Sequence, residues 1–176
     1  MGHHERNVGH RHGPPRGGRH VLIAVLVMLA MAGCTAPSED FNPDAIIALE
    51  RGALDRWGQG DPEGYFEIMA PDVTYFDPTT ETRVDGIEAL RGLFAPFTGK
   101  IKIDRIEMIN PVVQRAGDLA VLTFNLISHG AQVGDGPKGD ARWNSTEVYR
   151  RSEGTWRIIH SHWSYIKPAL KERPAE

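Results

Sequence analysis

The apolar residues of this chain change their spacing once. Up to about residue 99 they recur at every third or fourth position, and from Lys100 onward at every second. The first spacing marks helices that bury one stripe; the second marks strands that bury one face. A chain that switches period once keeps its helices and strands apart. An α+β domain is expected, with three N-terminal helices packed on a bent antiparallel sheet.

The helical half is well punctuated. Asn42 can cap a first helix, Pro43 suits its first turn, and Asp44 faces the positive end of the dipole. Phe41 and Ile46 are spaced as a hydrophobic staple. Ile46, Leu49, Ala53 and Trp57 form its buried stripe, which Gly58 or Gly60 ends. A second helix starts at Asp61, buries Tyr65, Phe66 and Met69, and closes at Pro71. Residues 73–78, VTYFDP, read as a short strand running into a turn. Asp85 and Glu88 have capping-box spacing and open a third helix carrying Ile87, Leu90, Leu93 and Phe94.

In the second half, Ile101 and Ile103 share one parity and Ile106 and Met108 the other. That slip predicts a bulge near Arg105. Residues 119–129, 143–151 and 156–165 are further strands, and 130–140, GAQVGDGPKGD, is a flexible loop.

The first 33 residues do not belong to this domain. Arg6, Arg11, Arg16 and Arg19 stand against one acid, Glu5, and then residues 21–32 are twelve uninterrupted apolar residues. As a helix they would rise about 18 Å, short of a hydrocarbon core of about 30 Å. A positive segment and a short apolar core form a secretory signal. The histidines at 3, 4, 10, 12 and 20 fall in this leader, so a metal role for them is set aside. Met31-Ala32-Gly33-Cys34 resembles the bacterial lipoprotein box, which makes Cys34 the lipidation site. A plain signal peptide cut nearby is the alternative. Cys34 is the only cysteine, so no internal disulfide can form. The expected organisation is signal peptide 1–33, tether 34–42, domain 43–168 and polar tail 169–176, exported and attached to a membrane by lipid.

Without the leader, 16 Lys and Arg stand against 22 Asp and Glu, a net charge of −6. There is no basic run or aromatic–basic ladder, which argues against nucleic acid as a partner.

Chemistry concentrates in the last hairpin. Ser152-Glu153-Gly154-Thr155 is a tight turn. With Glu153-Gly154 as a two-residue loop, Arg151 opposes Trp156, Tyr149 opposes Ile158, Glu147 opposes His160 and Ser145 opposes His162. Trp143, Ser145, Glu147, Tyr149, Ile158, His160 and His162 then share one face, with Ser161, Trp163 and Tyr165 on the other. Three readings stay open. Glu147 and His160 are the polar floor of a pocket, poised near neutral pH. Or they satisfy each other as a cross-strand pair. Or the two histidines and the carboxylate hold a metal, although the histidines stand ~7 Å apart on one face. No cofactor or metal is expected. Asp77 is a candidate base, or the cap of a turn before Pro78. Trp57, Tyr65 and Tyr75 are candidate walls, or plain core.

The stretches GDPEGYFEIMAPDVTYFDP, VDGIEALRGLF and STEVYRRSEGTWRIIHSHWS resemble the nuclear transport factor 2-like superfamily, which includes SnoaL-like cyclases and ketosteroid isomerases. The nearest likeness is to the association domain of calcium/calmodulin-dependent protein kinase II, from about Ile46 to Lys167. The resemblance implies a cone-shaped fold around a cup. In the association domains, arginines of the cup floor bind small carboxylates; the matching positions here are Asn125 and Glu147. In the isomerases, the Asp of a similar DP segment shuttles the proton, and Asp77 matches it. Glu147 lies near that family's protonated acid, while Ala53 falls where its first-helix tyrosine would be. An intact isomerase site is therefore not expected.

These readings give Asp77, Glu147 and His160 as candidate catalytic residues. Trp57, Tyr65, Tyr75, Asn125, Trp143, Tyr149 and His162 are candidates for binding a small, partly apolar molecule. Isomerase- or cyclase-type acid–base chemistry is one expectation; a non-catalytic accessory module is the other. The third strand is apolar on both parities, Leu119, Val121 and Ile127 against Leu122, Phe124 and Leu126. The backs of two sheets are thus expected to pair in a homodimer.

Overall fold

The computed structural model describes residues 1–2 and 41–167, and the architecture is that of the unit beginning at Asn42. Residues 3–40, which include Cys34 and the rest of the leader, and the 169–176 tail lie outside the described residues. Helix α1 spans Pro43–Trp57, and the Asn42 side chain accepts from the Asp44 amide at 2.9 Å. Its buried face is Ile46, Ala53 and Leu54, joined by one carboxylate, Glu50. The chain then reverses through Gly60, whose φ is +79°. A Cβ there would sit 3.0 Å from the Gly99 Cα and from the Ile101 carbonyl oxygen. Both are backbone atoms, so only glycine fits this close approach.

Helix α2 is short, Glu63–Ile68, and the Asp61 carboxylate accepts from the Glu63 amide at 3.1 Å. Strand β1, Met69–Phe76, starts before Pro71, where a helix end was expected. Strand β2 is Val84–Asp85, and α3 is Ile87–Phe94, followed by a 3-10 turn at Ala95–Phe97. Asp85 does not cap α3. Its carboxylate is held by Arg83 at 2.6 Å, and Gly86, at φ +86°, takes the cap position without a side-chain bond.

The remaining strands are β3 Ile101–Lys102, β4 Arg105–Ala116, β5 Leu119–Val133, β6 Gly139–Ser152 and β7 Thr155–Tyr165. The sheet runs β2-β1-β7-β6-β5-β3, with β4 also on β5. The fold is α+β as expected, but the sheet is not purely antiparallel. β1 comes from the helical half and lies parallel to β7, covering an edge that would otherwise expose unpaired backbone.

Several irregularities bend the sheet, three of them between β3 and β6. The chain leaves the ladder between Lys102 and Arg105, which lets Ile103 and Ile106 both reach the interior despite opposite parity. The ladder shift itself falls later than the slip near Arg105 suggested, between Ile109 and Val112, where Asn110 has φ 48°. A third shift lies between Ser128 and Ala131, with Gly130 at φ +61°. β5 passes through it to Val133, so most of the expected loop at 130–140 is hairpin.

The last hairpin corrects the sequence reading. Arg151 opposes Trp156 and Tyr149 opposes Ile158, but Val148 then opposes His160, and Glu147 opposes Ser161. Ile159 is one residue too many, a bulge, and it inverts the face of everything after it. The expected Glu147–His160 and Ser145–His162 pairs do not exist. Ile158 and Ile159 are both apolar, so either parity satisfied the pattern and the sequence carried no sign of the slip.

Candidate functional site

The helices and the curled sheet enclose a cup of about 440 Å³. Its wall is mainly apolar, with Leu54, Ile101, Ile103 and Ile106 among the lining residues. Eight aromatic residues line it too: Trp57, Tyr65, Tyr75, Phe94, Phe97, Trp143, Trp163 and Tyr165. Their rings brace one another. Trp57 lies 4.9 Å from Phe94, Tyr75 meets Phe94 edge-on at 5.4 Å, and Trp143 lies 4.1 Å from Tyr165. Such contacts hold rings in single orientations.

Of the residues singled out in the sequence, Trp57, Tyr65, Tyr75, Asp77 and Trp143 line the cup. Asp77 follows β1 and is held by three donors. The Thr79 amide and hydroxyl reach Oδ1 at 2.8 and 2.7 Å, and the Tyr75 hydroxyl donates to Oδ2 at 3.0 Å. It therefore does anchor a turn, and it also presents its carboxylate to the cup. Burial, with Asp77 next, pushes the Tyr75 phenol well above its ordinary range.

Glu147 and Tyr149 stand behind the lining, both fully buried. Glu147 Oε1 accepts from Ser161 Oγ at 2.9 Å and Ser145 Oγ at 3.1 Å. Ser161 lines the cup and accepts from the Trp163 indole at 3.0 Å, so Glu147 lies one hydroxyl away from the cavity. Burial, then the charge of Glu50, pushes the Glu147 carboxyl well above the usual carboxylate range. Its Oε2 has no hydrogen-bond partner among the described residues. A neutral acid leaves less polarity unanswered there than a carboxylate would.

Glu50 escaped the sequence reading. It is fully buried on α1, and its two oxygens accept from Tyr65 at 2.8 Å and Tyr149 at 2.7 Å. Burial raises its pKa to about 7 against the two phenol hydrogen bonds, which lower it. The signal was present, because Glu50 sits four residues after Ile46 and three before Ala53, inside the apolar stripe. Ser161, Trp163 and Tyr165 were also missed, since the assumed register turned them outward.

His160, His162 and Asn125 are not in the cup. His160 Nδ1 lies 2.8 Å from Thr74 Oγ1, and the Phe76 ring is 6.2 Å from His160 and 5.9 Å from His162. Burial, then His162 and Arg83, lowers the His160 pKa, so no carboxylate raises it as the expected pair would. Asn125 donates to Asn144 at 2.7 Å on the same outer face. The bulge separates both imidazoles from Glu147, which removes the reading of the three as one metal site.

A bent sheet closed by helices around an open cup defines the cone-shaped nuclear transport factor 2-like class. Within it, the family described as calcium/calmodulin dependent protein kinase II association domain matches residues 44–167. The chain belongs to that family. A solved protein of Parabacteroides distasonis, described provisionally as a ketosteroid isomerase, is 41% identical, with a TM-score of 0.60 over 74% of this chain and 92% of that one. The S. rosetta CaMKII hub shares the fold at 22% identity and TM-score 0.58, over 73% of this chain and 100% of that one. So does an NTF2-like protein of Cytophaga hutchinsonii, at 18% and 0.59, over 72% and 100%.

Proposed function

We propose that the cup holds a small, largely apolar molecule, and that the chain is an exported protein tethered by lipid at Cys34. The observation that carries the binding reading is an open cup of about 440 Å³ in which aromatic and aliphatic walls surround a few fixed polar groups. Ligand sites for small molecules have this size and composition. The Parabacteroides relative supports acid–base chemistry as an extension. Asp77 is the carboxylate that reaches the cavity and would take a proton α to a carbonyl. With Glu147 neutral, its proton would pass to the Ser161 side of their contact, so that Ser161 Oγ accepts from Glu147 and is free to turn its own O–H to the oxygen that gains charge.

Filling the cup tests this reading. Ala131 lines it, and Ala131→Trp should abolish the thermal stabilisation that wild type gains from a Δ5-3-ketosteroid. Conversion to the conjugated enone, followed by its absorbance, should fall at least about 100-fold in Asp77→Asn, as for loss of a positioned base. A steroid that shifts neither protein would remove the binding reading for that ligand class; binding without turnover would remove the enzyme and keep the cup.

The anchor and the sheet back are tested together. The outer face carries Val121, Val148 and Ile159, each half-buried, and the S. rosetta relative is a hub. Cys34→Ser should move the protein from the membrane to the soluble fraction, where light scattering should give twice the monomer mass. A variant that stays on the membrane sinks the lipid tether, and a monomer sinks the pairing of sheets.

A further inference from the structure

We infer that the cup takes an organic cation, an ammonium group on an apolar body, with Asp77 as its counter-ion. This deepens the reading of the cup as a ligand site and rests on it. The charge of the wall decides between ligand classes. Among the described residues lining the cup there is no Lys, Arg or His, and Asp77 is the one charged side chain. A carboxylate or phosphate ligand would enter without a positive partner and against a negative one. A neutral ligand leaves the Asp77 charge unanswered unless it brings a donor or an acidic C–H to the carboxylate. A cation answers the charge directly.

The geometry around Asp77 agrees. Oδ1 takes both Thr79 donors and Oδ2 takes the Tyr75 hydroxyl. Of the four acceptor positions of a carboxylate, one on Oδ2 remains. Tyr165 lines the same cup as Asp77, and the Trp143 ring is 4.1 Å from it. Aromatic faces are negative and attract ammonium groups, most strongly when water is excluded. The acids behind the floor, Glu50 and Glu147, supply no positive charge whether protonated or ionised. Leu54, Ile101 and Ile103 of the same wall suit a hydrocarbon body.

The test is a fluorescence titration of the full-length protein, since Trp57, Trp143 and Trp163 all line the cup. The probes are benzyltrimethylammonium, its uncharged carbon isostere neopentylbenzene, and phenylacetate. The cation should bind about tenfold or more tightly than the isostere, with phenylacetate weakest. Asp77→Asn should bring the ratio of cation to isostere close to unity. Because that change also loosens a turn, Tyr165→Leu, at the exposed end of β7, gives a second reading and should cut the same ratio several-fold. An isostere or phenylacetate that binds as tightly as the cation overturns the inference and leaves the cup as a ligand site. A ratio that neither variant changes overturns it too. Failure of all three probes to bind overturns both.

Discussion

Replacing Glu50 with alanine should cost about 3–5 kcal/mol of folding stability at pH 5. The side chain is fully buried and is the partner of two buried phenols, Tyr65 and Tyr149. Its removal leaves a cavity and strands both hydroxyls, each at about 1–3 kcal/mol unless the neighbours relax. At pH 5 the acid is protonated, so the loss is not offset by relief of a buried charge. Glu50→Gln keeps the shape and an acceptor and should cost far less. Urea unfolding of both variants at pH 5 measures the difference. Equal stabilities for wild type and Glu50→Ala would mean that Glu50 does not hold α1 to α2 and β6.

Stability should also fall as pH rises from about 5 to 8, the reverse of what acidic groups usually produce. Burial raises Glu50 from 4.5 to about 7 and raises Glu147 in the same direction. Between those values the folded state holds a proton that the unfolded chain has released. Stability is thus greatest below the unfolded pKa and is lost as pH climbs through the folded one. For Glu50 the change is on the order of 3 kcal/mol, and the two acids release protons as a pair.

Other groups modify the profile at its edges. Asp61, Asp72, Asp85, Glu107 and Asp140 have lowered pKa values, so their contribution is lost only at more acidic pH. His160, whose pKa burial lowers, opposes the trend, because the fold holds less of its proton than the unfolded chain does. Melting temperatures at pH 5, 6, 7 and 8 should therefore decline, and Glu50→Gln should flatten the series. A wild type that grows more stable across that range would show the buried acids to be ionised in the fold. In that case the shortfall of Glu50→Ala should be the same at pH 5 and pH 8 rather than smaller at pH 8.

Particular residues show which features can be read from a chain alone. The Asn42 cap was legible because a capping bond spans only two residues. The Asp85 cap was not, because Arg83 competes for the same carboxylate, and spacing cannot rank two local partners. Trp57, Tyr65 and Tyr75, which the sequence left open between cup wall and plain core, stand in the cup wall. So do Trp143, which the hairpin register placed, and Asp77, which the resemblance placed. Glu50 stood in plain sight on the buried stripe, yet its role depends on Tyr149, ninety-nine residues away. No local pattern could have joined them.

The change of hydrophobic period determined by itself that the helices would precede the long strands, and the family resemblance supplied the expectation of a hollow between them. The matching of residues 44–167 to a known family agrees with that. Tertiary structure alone decided what faces the hollow. Strand faces alternate with a period of two, so the single extra residue at Ile159 sends both imidazoles out and brings Ser161, Trp163 and Tyr165 in. A pattern of hydrophobicity records that a face is buried, but where two apolar residues adjoin it does not record which of them begins the next face.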